Sequence, residues 1–222
     1  MGSNTPGSLQ VRDLSCERGG RPLFCGLGFT LEPGAAMQVL GTNGAGKSTL
    51  IRTLIGSATD YRGEILWGDK PFPASLAQMR QSLLYIGHNA GVRRGLTPME
   101  NLAWYGARRE DALVALEAVD LYGFEDVLCQ QLSAGQTRRV ALARLFLPSV
   151  ASLWILDEPL AALDVRGVAR LESRMADHLG AGGSILLTSH QPVNLSPLKQ
   201  VNLLDFQVPA GYDIAMEAGS VQ

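Results

Sequence analysis

The sequence predicts an α/β fold. A buried parallel sheet forms its centre, an antiparallel β portion precedes it, and a helical portion is inserted within it. Three observations carry this expectation. Short apolar runs at 36–40, 153–156 and 184–187 read as strands buried on both faces. A glycine-rich turn at 41–46 joins the first of these runs to an apolar-rich helix at 48–55. From 97 to about 128 the apolar spacing becomes helical before the chain returns to strand-like runs.

Length and composition fit one such unit. The chain has 222 residues, a formal charge of −2 and 46% hydrophobic residues, enough for a sizeable core. No stretch reaches the roughly 18 to 20 apolar residues of a membrane span. Residues 1–8 are polar and are expected to fray. They have no apolar signal-peptide core, and Pro6 breaks the myristoylation pattern, so a cytoplasmic location is expected. Lys and Arg form no long run, which argues against nucleic acid as the main partner. Cys16, Cys25 and Cys129 are odd in number and form no CxxC pair, so they read as reduced thiols.

The elements follow in order. Residues 9 to about 40 are β-rich: Val11, Leu14, Leu23, Phe29 and Leu31 alternate imperfectly with polar residues, and Gly19-Gly20 marks a hairpin turn. Further short strands are expected at 63–67 and 82–86. Thr97 and Glu100 make a capping box ahead of Leu102 and Trp104. Residues 111–120 carry Leu113, Val114, Leu116 and Val119 at helical spacing. Ser133 and Gln136 can cap and box a helix that runs through 145. The strands at 153–156 and 184–187 are separated by a helix at 165–179.

The glycine-rich turn has a specific chemistry. Gly41, Thr42, Asn43, Gly44, Ala45, Gly46, Lys47 and Ser48 match the full Gly-x4-Gly-Lys-Ser spacing of a phosphate-binding loop, with Thr49 next in the helix. Glycines let the backbone curl so that several N–H groups face one anion. Lys47 then reaches the β and γ phosphates of a nucleoside triphosphate, and Ser48 can ligate Mg²⁺. The following helix points its N-terminus at the phosphates.

Two further segments complete a reaction site. The run 153–159 ends in Asp157-Glu158-Pro159 at the carboxyl end of a buried strand. Asp157 can hold Mg²⁺ through water, and Glu158 can orient or deprotonate an attacking water. The run 184–190 ends in His190, placed to hydrogen-bond a γ-phosphate. The segment Leu132-Ser-Ala-Gly-Gln136 opens a helix. Gly135 is a poor choice in a first turn unless something must approach the backbone, and a free helix N-terminus suits a phosphate.

The order of these motifs resembles that of an ABC-type ATPase subunit over nearly the whole chain: phosphate loop, LSAGQ, ILDEP, Ala161-Ala-Leu-Asp164 and Thr188-Ser-His190. The resemblance implies a P-loop NTPase fold with a RecA-like core and an antiparallel β subdomain (1–88 and 150–222). A helical subdomain (89–149) would be inserted in it, making one domain over 1–222. It implies ATP and Mg²⁺ as ligands, Asp157 and Ser48 at the metal, Glu158 as catalytic carboxylate and His190 as switch histidine. Ser133, Gly135 and Gln136 would contact ATP held by a second copy in a head-to-tail homodimer, and Asp164 would cross its interface. Integral membrane permease subunits would be the partners.

A narrower resemblance rests on Leu14-Ser-Cys16-Glu17-Arg18, Gly87-His88, Glu100-Asn101-Leu102, Gly123-Phe124-Glu125-Asp126, Leu153-Trp154-Ile155-Leu156, Ser189-His190-Gln191-Pro192 and the short C-terminus. These are similar to the ATP-binding subunits of the haem exporters of bacterial cytochrome c maturation. That implies a peripheral location on the cytoplasmic face of the inner membrane and haem-handling proteins as partners. No CxxCH or similar spacing gives this chain a haem site of its own. Two positions depart from the ABC pattern. Asn89 stands where a Gln usually bridges metal or lytic water, with the same amide on a shorter stem. Arg18 stands where an aromatic ring usually stacks on adenine, and a guanidinium can do this for about 0.5 to 2 kcal/mol or lie on the surface. Another small-substrate transporter ATPase and a soluble assembly ATPase are the alternative readings. A DNA-repair type would need a coiled-coil or zinc insertion that the sequence lacks.

Overall fold

A parallel sheet of five strands, ordered β6-β7-β8-β3-β9, organises the computed structural model, which describes residues 7–148, 151–161 and 163–208. Its strands are β3 (Ala36–Leu40), β6 (Leu83–Ile86), β7 (Leu153–Asp157), β8 (Ser184–Thr188) and β9 (Leu198–Asn202), and each neighbouring pair is parallel. The polar start at 1–6 and the C-terminus from 209 on, used above for the leader and resemblance readings, lie outside the described residues.

An antiparallel sheet, ordered β2-β1-β4-β5, packs beside it. It consists of β1 (Leu9–Arg18), β2 (Arg21–Leu31), β4 (Tyr61–Trp67) and the two-residue β5 (Lys70–Pro71). Gly19-Gly20 forms the β1–β2 turn, as the sequence indicates. The helices are α1 (Lys47–Leu54), α2 (Leu76–Gln81), α3 (Pro98–Ala103), α4 (Arg109–Ala118), α5 (Ala134–Ala143) and α6 (Val165–Gly180).

Alternation along the central strands divides the interior into two cores. Trp154 and Leu156 of β7, Ile185 and Leu187 of β8, and Leu84 and Ile86 of β6 face a core shared with α3, α4, α5 and α6. Leu153, Ile155 and Leu186 face the opposite way, onto α1 and the antiparallel sheet. One strand thus anchors the inserted helices on one side and α1 on the other.

One detail of the helical portion differs from the sequence expectation. In α4 the buried stripe is Ala112, Ala115 and Leu116, continued by Val119, whereas Val114 is 65% exposed and Leu113 36%. Positions i, i+3, i+4 and i+7 share a helix face, and here half of that face is alanine. Small residues allow close approach to the neighbouring helices. The larger Leu113 and Val114 look like core residues only until the face is fixed by the fold.

Under α6, a buried imidazole meets a buried indole. His178 stacks on Trp154 with ring centroids 3.8 Å apart and planes 9° from parallel, and Arg174 lies 5.1 Å from the same indole. Burial, reinforced by the Arg174 charge, lowers the His178 pKa from 6.5 to about 4. The folded state therefore resists a proton that the unfolded chain accepts. Its contribution is fully present above pH 6.5 and is lost as pH falls toward 4. At about 1.4 kcal/mol per unit, the loss amounts to about 2 to 3 kcal/mol. We predict that His178→Met, which fits the space without titrating, flattens the fall in urea-unfolding stability between pH 7 and 4.5. Parallel slopes for the two proteins would assign the acid sensitivity elsewhere.

Candidate active site

The carboxyl ends of β3, β6, β7 and β8 converge, and a cleft of about 360 Å³ opens there. This is where open parallel sheets place ligands, because the loops leaving adjacent strands diverge around it. Gly46 caps α1 from a left-handed conformation, φ 104°. A Cβ there would also press to 3.0 Å on Phe24 and 3.2 Å on Leu23. Glycine thus satisfies both the turn and the packing. Ala45 is buried, and its N–H closes the turn onto Thr42 O at 3.1 Å. Lys47 Nζ donates to Gly41 O at 2.6 Å and Thr42 O at 3.3 Å, which keeps the ammonium over the loop. Thr42, Asn43, Gly44, Gly46, Lys47, Ser48 and Thr49 all border the cleft.

Opposite the loop, one hydroxyl fixes two acidic residues. β7 and β8 pair so that Asp157 lies across from Thr188. Thr188 Oγ1 donates to Asp157 Oδ1 at 2.7 Å and accepts from the Glu158 N–H at 2.9 Å. Glu158 has φ 52°, an uncommon conformation for a side-chain-bearing residue, which turns the chain sharply at the strand end. Its Oε2 accepts the His190 N–H at 3.1 Å. Its Oε1 lies 3.4 Å from His190 Nε2, within ion-pair distance but without hydrogen-bond alignment. Asp157, Glu158 and His190 all border the cleft with the loop.

The remaining predicted residues fall in three places. Arg18, the last residue of β1, borders the cleft together with Leu23. From the loop after β6, His88 borders the cleft, whereas Asn89 beyond it is exposed and is not among the lining residues. Ser133 caps α5 and Gly135 and Gln136 lie in its first turn, and none of the three borders the cleft of its own chain. Ser133 Oγ accepts the Gln136 N–H at 3.2 Å and Gln136 Oε1 accepts the Ser133 N–H at 2.9 Å, a complete capping box. Asp164 caps α6 by accepting the Gly167 N–H at 2.7 Å, and is exposed. Ala162 of the same motif lies outside the described residues.

Two functional positions were missed from sequence. Thr188 was read only as part of a motif, yet it is the group that holds both carboxylate residues. Arg138 falls within the helix that Ser133 caps, and nothing in the local sequence marks it. Its guanidinium donates to the backbone carbonyls of Gly87, Asp157 (2.5 Å) and Glu158 (3.2 Å). Burial pulls its pKa down, and the charges of Asp157 and Glu158 oppose that pull.

The sequence model described as "ABC transporter" matches residues 24–161. The chain belongs to the ABC transporter family. Cytochrome c biogenesis ATP-binding export protein CcmA of Escherichia coli O157:H7 is 51% identical over 195 residues, 87% of this chain and 94% of the relative. CcmA of Shigella flexneri is 51% identical over 196 residues, with the same coverage. Among solved structures, an ATP-binding subunit of an ABC transporter superposes with TM-score 0.72 at 27% identity, covering 82% of this chain and 79% of the other. An ABC transporter ATP-binding protein of Pyrococcus furiosus gives 0.74 at 25% identity, over 90% and 100%. The ABC ATPase fold of a nucleotide-binding parallel core, an antiparallel sheet and inserted helices is the architecture described above. This family membership makes the chain an ATP-binding protein and an ATPase.

Gly46 gives the site its first test. Gly46→Ala forces a Cβ onto Phe24 and costs of order 1 to 3 kcal/mol in backbone strain. We predict about tenfold or greater loss of ATP affinity, read by equilibrium dialysis, with the urea midpoint of the nucleotide-free protein lowered as well.

Proposed function

We propose that this chain is the ATP-hydrolysing subunit of an ABC export complex serving cytochrome c biogenesis, in which haem is exported or released to a haem chaperone. One observation carries the hydrolytic part: the Lys47 loop and the Asp157-Glu158-Thr188-His190 group converge on one cleft. The CcmA relatives, matched over 87% of the chain, support the cytochrome c role.

The loop amides and Lys47 bind the triphosphate. Lys47 exchanges its contacts with Gly41 O and Thr42 O for phosphate oxygens. The Ser48 hydroxyl and the Asp157 carboxylate are hard oxygen donors beside the phosphate position. Among the described residues no group of three or more His, Cys, Asp or Glu is placed to hold a metal. The oxygens of Ser48 and Asp157 suit Mg²⁺, which keeps waters and shares phosphate oxygens rather than sitting in an all-protein cage. When bound it neutralises charge on the β and γ phosphates. Asn89 does not border the cleft, whereas the neighbouring His88 does.

Glu158 takes a proton from water as its oxygen attacks the γ-phosphorus and the bond to the ADP oxygen breaks. His190 contacts the γ-phosphate and steadies Glu158. Ser133, Gly135 and Gln136 present the α5 N-terminus to the γ-phosphate on a second copy, and Asp164 crosses between the two, so the working unit is a homodimer. Arg18 stacks on the adenine. Residues 89–149 form the helical subdomain within the single ATPase domain.

Among the described residues no helix is long and apolar enough to cross a membrane. The ABC ATP-binding subunit works with separate integral membrane permease subunits. Exposed Trp104 and Tyr105, each with an arginine stacked on it (Arg93 at 3.7 Å, Arg144 at 3.8 Å), offer a surface for them. The chain then sits on the cytoplasmic face of the inner membrane, with haem-handling proteins beyond its permease partners and no nucleic acid.

Two substitutions test this reading. Glu158→Gln is expected to bind ATP, accumulate as an ATP-dependent dimer in size-exclusion chromatography and turn over roughly 10²- to 10⁴-fold more slowly. Undiminished turnover would rule out Glu158 as the base. Ser133→Arg is expected to bind ATP as a monomer and lose hydrolysis. Mixed dimers of Ser133→Arg with Lys47→Ala subunits should keep one working site, since both lesions fall on the same composite site. Two working sites, or none in single-turnover hydrolysis, would contradict the shared-site arrangement.

A further inference from the structure

Arg138 is the long side chain of α5 that leaves the helical portion and grips the sheet. It donates to Gly87 O, at the head of the loop carrying His88 and Asn89, and to Asp157 O and Glu158 O at the end of β7. Those carbonyls are 51, 19 and 20 residues away in sequence, so one guanidinium fastens two separate chain segments to α5. Arg144, at the other end of α5, donates to Tyr85 O at 3.2 Å, one strand residue short of the same loop. Arg139 turns the other way, toward the carbonyls that end α4. Of the arginines of α5, Arg138 alone contacts the peptides that carry the catalytic carboxylates.

The groups it holds have little room to settle elsewhere. Glu158 keeps φ 52° because its N–H is held by Thr188 and its carbonyl by Arg138. A strained peptide of this kind persists only while its surroundings over-determine it. Gly87 is equally confined, since a Cβ there would fall 2.2 Å from Tyr85 Oη. Meanwhile Ser133 lies five residues upstream on the same helix, roughly 7.5 Å along its axis at 1.5 Å per residue. A helix of this length moves as a rigid body. What shifts its N-terminus shifts the arginine.

We propose that Arg138 is a positioning residue that ties the phosphate-reading end of α5 to the Glu158 of its own subunit. Docking of α5 on the partner's γ-phosphate thereby sets the aim of the base in the cis site. This rests on the shared-site reading above. It adds a direction of communication: each subunit reports the partner's nucleotide to its own Glu158. Arginine is suited to this because its planar fork serves several carbonyls at fixed angles, which a lysine ammonium does not.

The test uses the full-length protein with its permease partners, or the ATPase dimer where that alone hydrolyses ATP. Arg138→Met keeps the apolar stem and removes the fork. It should lower kcat about tenfold or more, because a small misaim of the base is costly, while KM for ATP stays within about threefold. It should still form the ATP-dependent dimer, as Glu158→Gln does. Arg138→Lys should fall between the two. Wild-type kcat in Arg138→Met overturns the proposal. So does loss of ATP-dependent dimerisation in both variants while Glu158→Gln still dimerises, since that assigns Arg138 to holding α5 itself. If Glu158→Gln also fails to dimerise, the shared-site reading is what has failed.

Mixed dimers give the direction. With Glu158→Gln and Arg138→Met on one chain beside a wild-type chain, both lesions fall on one site, ATP stays bound there, and single-turnover hydrolysis should proceed at the other. With the two substitutions on opposite chains, both sites should be lost. The reverse pattern would mean that Arg138 serves the partner's site, and would overturn the proposal.

Discussion

The pairing of β7 with β8 decides the chemistry of the cleft. In a parallel pair the hydrogen-bond register fixes which side chains lie across from each other, and a slip of one residue would send every one of them to the opposite face. Here the register sets Asp157 opposite Thr188. A single hydroxyl can then serve as donor to the Asp157 carboxylate and acceptor for the next peptide N–H. That second bond holds the Glu158 peptide in its turned conformation and keeps the Glu158 carboxylate beside His190. The same strand sends Trp154 and Leu156 into one core and Leu153 and Ile155 into the other, so packing on both faces guards the register. The precision of the site is borrowed from the burial of the strand beneath it.

Much of this was legible in the sequence, and for identifiable reasons. The phosphate loop was readable because its glycines are local requirements: Gly46 needs both a left-handed backbone and bare space against Phe24. The capping boxes at Thr97 and Ser133 were readable because their partners lie three residues away. The buried strands showed themselves through continuous apolar runs. Leu113 and Val114 were different, since helical spacing alone does not say which face is covered, and the alanines of α4 carried too little hydrophobic signal to show it. Arg138 was out of reach for a related reason. All its partners are backbone carbonyls of other elements, and a carbonyl has no residue identity to recognise.

The two ends of the cleft differ in kind. At the phosphate end the loop offers backbone amides, an ammonium and a helix start, all fixed by local geometry. At the other end, Arg18 and Leu23 supply a charge and an apolar contact. A guanidinium stacks on any purine face and reads little of its edge, at about 0.5 to 2 kcal/mol. With Arg18 on the adenine, as proposed, a nucleotide would draw most of its affinity from its phosphates. A base-dominated site would hold ADP nearly as well as ATP.

The helix α5 combines two tasks that usually conflict. In the proposed dimer its exposed N-terminus meets an incoming phosphate, while Arg138 is committed to carbonyls of the sheet. A flexible segment could do the first and a buried one the second. The capping box reconciles them: Ser133 and Gln136 satisfy each other's N–H groups and leave the first turn ordered without a tertiary partner. The buried run of Val140, Ala141, Leu142 and Ala143 pins the other half of the helix into the core with β7. An ordered but uncovered beginning on a firmly seated end behaves as a lever. The strained peptide of Glu158 is the point on which that lever acts.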